Sequence, residues 1–112
     1  MNDCIFCKIV DKELPADILY EDNNVIVFKD IKPKAPLHIL IVPKKHIPSI
    51  NHLELEDKEL MGEMFLAAKK MAKKQGVAKT GYRLVFDTGK NAGQTVDHLH
   101  LHLLGGKKLP WA

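Results

Sequence analysis

An alternation of histidine and leucine near the C-terminus constrains the fold more than any other feature of the chain. Residues 98–104 read His-Leu-His-Leu-His-Leu-Leu. Consecutive side chains of a β-strand point to opposite faces of the sheet, whereas a helix spreads them around its circumference. The segment therefore predicts a strand at 98–104 with three imidazoles on one face and leucines on the other. Histidine serves as nucleophile, proton carrier or metal ligand, so this face indicates a functional site.

The rest of the chain predicts short strands around one long helix. Apolar residues at spacings of three and four favour a helix over 56–75, with acids at its start and lysines at its end. A shorter helix is predicted at 4–12, and residues 22–24 separate two β-rich segments in the manner of a hairpin. Strands are predicted at 18–21, 25–29, 37–42, 82–88 and 98–104. This order favours an α+β domain with about five mainly antiparallel strands.

Length and composition exclude several classes of protein. The chain has 112 residues and a net charge of +3, which predicts a single domain over 1–112 and argues against a nucleic-acid-binding protein. No segment approaches the roughly 20 apolar residues of a membrane span, and the N-terminus lacks the layout of a signal peptide. We therefore expect a cytoplasmic protein without membrane contact, in which Cys4 and Cys7 are not a structural disulfide.

The two cysteines form a Cys-x-x-Cys motif that is compatible with three kinds of site. A thioredoxin-type redox pair would follow a strand in a βαβ unit, and that context is absent. Two thiolates and two histidines can instead hold a tetrahedral zinc ion. The third interpretation is a pair of small buried thiols without a metal. Spacing alone cannot choose the histidine ligands from the six in the chain.

A glycine-containing loop at 89–96 precedes the histidines. Gly89 and Gly93 allow tight turns that bring backbone N–H groups close to an anion, and Gln94 and Thr95 add side-chain donors. The loop is not a P-loop, because the Gly-x-x-x-x-Gly-Lys-Ser/Thr pattern is missing. It predicts either a phosphate cradle or an ordinary turn.

Together these elements resemble the histidine triad family of nucleotide-binding proteins. The segment at 98–104 matches the family signature His-φ-His-φ-His-φ-φ, where φ is hydrophobic. Further similarity to its nucleoside phosphoramidase branch covers nearly the whole chain in order. It is carried by residues 5–10, 29–31, 35–38, 42–47, 93–95 and 104–106.

The resemblance implies a catalytic site built around the last two histidines. His100 would attack the α-phosphorus of a nucleotide and form a nucleotidyl-histidine intermediate, and His102 would contact the phosphate or the leaving group. Asp30 would accept the ribose hydroxyls. Phe6, Ile9 and Ile31 would line a slot for the purine. The substrate-binding residues so implied are Phe6, Ile9, Asp30, Ile31, His38, Asp87, Gly93, Gln94 and Thr95.

The resemblance also implies a metal site and a quaternary structure. The ligands of one structural zinc ion per chain would be Cys4, Cys7, His46 and His98. The protein would be a homodimer with a sheet continuous across two subunits, and residues 107–111 hold the position of a tail near the partner's pocket. One departure concerns Asp87, where the family usually has asparagine.

The function implied is hydrolysis of purine nucleoside phosphoramidates or acyl-adenylate-like nucleotides, with release of a nucleoside monophosphate. Two alternatives remain open at this point. One is a hydrolase of dinucleoside polyphosphates that uses the same nucleophile. The other is a purine-nucleotide-binding partner protein without catalysis.

Overall fold

The computed structural model describes residues 3–111, so Met1, Asn2 and Ala112 of the predicted domain lie outside the described residues. Five strands form one antiparallel sheet in the order β1-β2-β3-β5-β4. The α+β class with one long and one short helix is confirmed. The elements are α1 (Ile5–Val10), β1 (Ile18–Glu21), β2 (Val25–Lys29), β3 (Leu37–Pro43), α2 (Lys58–Lys74), β4 (Tyr82–Val85) and β5 (Leu101–Gly105).

The centre of the sheet is covered on both faces. Strands β2 and β3 are almost continuously apolar, and alternate residues enter two different cores. Helix α2 packs on one face through Met64, Ala68 and Met71, all with an exposed fraction of 0%. The short α1 covers part of the other face through Phe6 and Ile9. The α1 face is therefore the one on which a cleft can form beside the histidines.

Helix α2 begins two residues later than predicted because a turn of 3-10 helix, Leu55–Asp57, precedes it. The carboxylate of Asp57 accepts a hydrogen bond from the backbone N–H of Glu54 at 2.9 Å, which satisfies one of the free donors at a helix start. The predicted hairpin of β1 and β2 is confirmed at the predicted residues.

Strand β5 begins at Leu101, so the prediction of a strand from His98 is wrong by three residues. The backbone N–H of Leu99 donates to the carbonyl of Ile47 at 2.6 Å, outside the ladder between β3 and β5. The alternation of faces nevertheless holds. Leu99, Leu101 and Leu103 lie in the α2-side core, while the rings of His98 and His100 contact Phe6 of α1.

Strand β4 ends at Val85, three residues before its predicted end. Its last partner is His102, one residue inside β5. Residues 87–88 extend past the start of β5 and therefore have no residue of that strand to pair with. This frees Asp87 from the sheet and lets its side chain turn toward the histidines. No helix over residues 3–111 is long and apolar enough to cross a membrane.

Candidate active site and metal centre

The side chain of His98 lies in a cluster with two cysteines and a second histidine. Its Nδ1 is 3.3 Å from Cys4 Sγ, 3.5 Å from Cys7 Sγ and 3.1 Å from His46 Nδ1. Cys7 Sγ is also 3.3 Å from His46 Nδ1. Four ligands around a tetrahedral zinc ion would stand roughly 3.3–3.6 Å apart for N···N and S···N pairs, given the usual bond lengths. These four donors therefore can hold a metal ion.

The protonation of His98 suits a ligand. Its Nε2–H donates to the carbonyl of Pro43 at 2.8 Å, which leaves the Nδ1 lone pair for the metal. Burial lowers the pKa of His98 to about 4, because the charged form is disfavoured away from solvent. The ring is therefore neutral at physiological pH, as a ligand must be.

His100 has a different role that follows from its own hydrogen bond. Its Nδ1–H donates to the backbone carbonyl of His98 at 2.7 Å, so the lone pair lies on Nε2. The ring of Phe6 stands edge-on to it, with centroids 5.0 Å apart. His100 is buried, and it lines two neighbouring clefts. A neutral imidazole held through Nδ1–H keeps its lone pair on Nε2, and an oriented imidazole beside two clefts is the arrangement of a nucleophile.

A chain of hydrogen bonds fixes the tautomer of His102. The backbone N–H of Lys34 donates to His38 Nδ1 at 3.0 Å, so His38 carries its proton on Nε2. That N–H faces His102 Nδ1 at 2.9 Å and Asp30 Oδ2 at 3.3 Å. His102 therefore carries its own proton on Nε2, which lies 3.7 Å from Asp87 Oδ2. It presents an N–H donor to the cleft.

Burial favours the neutral forms of His38 and His102. It is the main reason why the pKa of His102 falls to about 4, and the neighbouring His100 and His38 lower it further. The carboxylates of Asp87 and Asp30 oppose the change. Burial likewise lowers the pKa of His38. Near neutral pH, His102 thus acts as a neutral hydrogen-bond donor rather than as a cation.

Two clefts meet at the histidines. The first has a volume of about 450 Å³ and an apolar lining from α1 and the adjacent strands. The second, of about 760 Å³, is bordered by β4 and the loop before β3; it contains most of the charged lining residues and is called the polar cleft below. Residues that line both clefts are Asp30, Lys32, Thr95, His100 and His102. The shape fits a ligand with a flat apolar part in one cleft and a polar part in the other.

Residues of the loop at 89–96 have two different roles: some border a cleft, and one holds the loop together. Gly93 and Thr95 border the polar cleft, and Gly93 has a φ of +89°, a left-handed conformation that glycine adopts without strain. Gln94 lines neither cleft. Its Oε1 accepts from the N–H of Gly89 at 2.8 Å, and its Nε2 donates to the carbonyl of Pro48 at 2.7 Å. Gln94 therefore braces the loop from within.

Comparison with known proteins decides the family. The family model described as "Scavenger mRNA decapping enzyme C-term binding" matches residues 3–110. The purine nucleoside phosphoramidase of Escherichia coli is 46% identical over 108 residues, which cover 96% of this chain and 91% of that protein. The chain belongs to the histidine triad family. A HIT-like protein of Synechococcus elongatus is 47% identical over 98% of this chain and 96% of its own length.

Solved structures of histidine triad proteins share the whole fold. A HIT family hydrolase from Legionella pneumophila has a TM-score of 0.96 at 49% identity, with 97% of each chain covered. A zinc-bound histidine triad protein from Mycobacterium smegmatis has a TM-score of 0.80 at 32% identity, with 94% of this chain and 76% of that chain covered.

The predicted site residues of this histidine triad protein fall into three groups. The four predicted metal ligands lie together in one cluster, and Gln94 stands apart as a brace. The remaining predicted residues line one or both clefts, although Ile31 does so with an exposed fraction of 91%. They are Phe6, Ile9, Asp30, Ile31, His38, Asp87, Gly93, Thr95, His100 and His102.

Several lining residues were missed by sequence reasoning. Phe28 and Leu40 help to line the apolar cleft, and strand alternation could have found them because they share the α1 face of the sheet. Lys32, Lys34 and Arg83 border the polar cleft, together with Trp111. No local signal marks these cations, since solvent-exposed lysines are common on any loop.

Proposed function

We propose that this protein hydrolyses purine nucleoside phosphoramidates and acyl-adenylate-like nucleotides and releases a nucleoside monophosphate. The observation that carries the proposal is the fixed tautomer of His100. Its Nδ1–H is held by the carbonyl of His98 at 2.7 Å, and the residue lines both clefts. The 46% identity to the E. coli purine nucleoside phosphoramidase supports the same class of substrate.

The reaction has two steps on one nitrogen. His100 Nε2 bonds to the α-phosphorus while the P–N bond breaks, and the amine leaves with the electron pair and takes a proton from solvent. A water oxygen then bonds to phosphorus while the bond to Nε2 breaks, which returns the lone pair to His100 and a proton to solvent. Dividing one difficult displacement in this way lowers each barrier.

The surrounding residues supply binding and charge stabilisation. The apolar cleft beside Phe6 and Ile9 suits the flat face of a purine. Asp30, which lines both clefts, can accept hydrogen bonds from ribose hydroxyls. The Nε2–H of His102 and the hydroxyl of Thr95 border the place where phosphate oxygens would lie, and such donors stabilise charge that develops on phosphorus oxygens.

The test is turnover of adenosine 5′-phosphoramidate by the purified protein, followed as AMP release by chromatography. We expect acid-quenched samples of the wild-type protein to contain a covalent adenylyl adduct by intact mass. His100→Gly should lose the adduct and lower turnover by at least about 10³-fold, as the loss of a nucleophile does.

A matched control is His52→Gln. His52 is exposed, lines neither cleft, and its ring bonds to Ser49 at the start of its own turn of 3-10 helix, so its loss should leave turnover unchanged. If His100→Gly turned over the substrate at the wild-type rate, the assignment of His100 as the nucleophile would be refuted. Faster cleavage of a dinucleoside polyphosphate than of the phosphoramidate would favour that alternative, and binding of AMP without turnover of either would favour a binding protein.

We further propose that the metal held by Cys4, Cys7, His46 and His98 is one zinc ion per chain. Two thiolates and two imidazoles form a ligand set that zinc prefers, and a zinc-bound relative supports the choice. Elemental analysis of protein purified without chelator should give close to one zinc per chain. Zinc-free protein of equal stability would contradict a structural role.

Finally, we propose a cytoplasmic homodimer. Reduced thiolates suit the reducing cytoplasm. Strand β4 lies at a sheet edge, and beside it the half-exposed Phe65 of α2 contacts Phe86, with centroids 6.1 Å apart. Exposed aromatic surface next to an unpaired strand edge suits a second copy of the chain. Light scattering should give twice the chain mass, and Phe65→Asp should shift it toward the monomer.

A further inference from the structure

Asp87 places a negative charge where an anion is expected to bind. Its Oδ2 lies 3.7 Å from Nε2 of His102, the nitrogen that carries the donor proton. The side chain is half-buried and borders the polar cleft together with His100 and Thr95. A carboxylate here repels a phosphate group and competes with it for the same N–H. The Asp87 carboxylate therefore opposes the binding of a phosphate group at this site.

We propose that Asp87 makes the phosphate site select a singly charged phosphorus group over a doubly charged one, and so disfavours the nucleoside monophosphate product. The inference deepens the proposed function and rests on it for the identity of the product. A nucleoside phosphoramidate carries one negative charge on phosphorus. A phosphate monoester gains its second charge near pH 6, so the product bears a greater charge than the substrate at neutral pH.

The other charged groups around the site do not cancel this effect. Asp30 adds a second carboxylate from the end of β2, and His38 and His102 are kept neutral by burial, which lowers the pKa of each. Lys32 and Lys34 border the same cleft but are exposed to solvent, which screens them. The guanidinium of Arg83 also borders the polar cleft and donates to the carbonyl of Pro110 at 2.6 Å; its charge is the same in every variant compared below.

Distance gives Asp87 a special place among these groups. Asp87 faces the donor nitrogen of His102, whereas Asp30 faces Nε2 of His38, which in turn lies next to His102. Coulomb energy falls with distance, so the second charge of a phosphate interacts more strongly with the nearer carboxylate. Removing that carboxylate should therefore remove most of the discrimination between one charge and two.

The test compares the binding of AMP and of the methyl ester of AMP by calorimetry, between pH 5.5 and 8. The ester carries one charge at every pH, so its binding reports titration of protein groups alone. For the wild-type metal-loaded protein, we expect the ratio of the Kd of AMP to that of the ester to rise about five- to tenfold across this range. For Asp87→Asn, we expect most of this rise to disappear.

Two further variants make the test decisive. Asp87→Glu keeps the charge and should keep the rise. Glu59→Gln removes one negative charge from the start of α2, on the opposite face of the sheet, and should also keep it. A rise of equal size in Asp87→Asn, a flat ratio in the wild-type protein, or no binding of either nucleotide would overturn the inference.

The failure of the inference is separable from failure of the proposed function. Binding of AMP and its ester requires no turnover, so the ratio is measurable even in a protein that cleaves no phosphoramidate. Conversely, a phosphoramidase whose ratio does not depend on Asp87 would keep the proposed function and lose this inference. In an active enzyme, Asp87→Asn should also increase inhibition by AMP about five- to tenfold at pH 8.

Discussion

The backbone carbonyl of His98 accepts the Nδ1–H of His100 at 2.7 Å, while the side chain of His98 belongs to the cluster that can hold a metal ion. One residue thus joins the candidate metal centre to the candidate nucleophile. Phe6 strengthens the link, because its ring contacts both imidazoles and the N-cap residue of α1 is Cys4, another member of the cluster. An interaction that holds His98 in place therefore also holds the backbone carbonyl that orients the ring of His100.

Metal removal should therefore affect both stability and turnover. We expect chelation, or Cys7→Ser, to lower the free energy of unfolding by about 4 kcal/mol, the effect of a ligand present at about 1,000 times its Kd. Turnover should fall as well, because His98 loses its anchor. Calorimetric melting and AMP release measure the two effects. A metal-free protein with unchanged melting temperature and activity would contradict the link.

Loss of the Thr95 hydroxyl should slow catalysis without unfolding the protein. Thr95 borders both clefts beside His100 and His102, and its side chain is solvent-exposed. Removing one donor that stabilises a developing oxyanion typically costs about 10²-fold in kcat. We expect a loss of this size for Thr95→Val in steady-state kinetics. The control is Thr80→Val, because Thr80 lies outside both clefts. Equal kinetics in the two variants would show that the Thr95 hydroxyl does not stabilise the developing oxyanion.

Stability should fall in acid because of His102. Its pKa is about 4 in the folded protein against 6.5 for an unperturbed histidine, so the unfolded chain binds more protons between these values. The free energy of unfolding is therefore fully retained above pH 6.5 and decreases as the pH falls toward about 4. Allowing for the partial exposure of the ring, the contribution is about 1–3 kcal/mol.

The variant His102→Gln isolates this contribution. Its side-chain oxygen can still accept from His38, but it does not titrate. Denaturation at pH 7.5 and at pH 4.5 should show a smaller loss of stability in the variant than in the wild-type protein. Other titrating groups are common to both and cancel in the difference. An equal loss in the two proteins would mean that His102 is not held in its neutral form.

The sequence predicted those features that depend on local pattern. Alternation placed His98 and His100 on the face opposite Leu99 and Leu101, and turn residues located the first hairpin. These patterns work because a strand has a fixed period of two and a tight turn favours few residue types. The family resemblance then selected His46 and His98 from six histidines, a choice that spacing could not make.

Long-range contacts determined what local pattern could not. Strand β5 begins at Leu101 because Leu99 donates to Ile47, which is distant in sequence. The approach of Asp87 to His102 likewise depends on where the ladder between β4 and β5 ends. Gln94 shows the same limit at a single side chain. Its residue type suits a phosphate donor, and only the positions of Gly89 and Pro48 reveal a brace.

The brace makes its own prediction, since a structural role and direct phosphate contact give different results for Gln94→Ala. Loss of the amide leaves the N–H of Gly89 and the carbonyls of Pro48 and Val96 without this partner. We expect a loss of about 1–3 kcal/mol in the free energy of unfolding. AMP binding should weaken at the same time, because the loop that carries Thr95 loosens. Denaturation and calorimetry measure the two quantities.

The control for Gln94→Ala is Asn91→Ala in the same loop. Asn91 is exposed and lines neither cleft, so its truncation should leave stability and AMP affinity unchanged. A side chain that contacted phosphate directly would give another pattern, in which Gln94→Ala weakens AMP binding and leaves the free energy of unfolding intact. The parallel loss of both quantities therefore distinguishes a brace from a ligand contact, and unchanged stability would return Gln94 to the phosphate site.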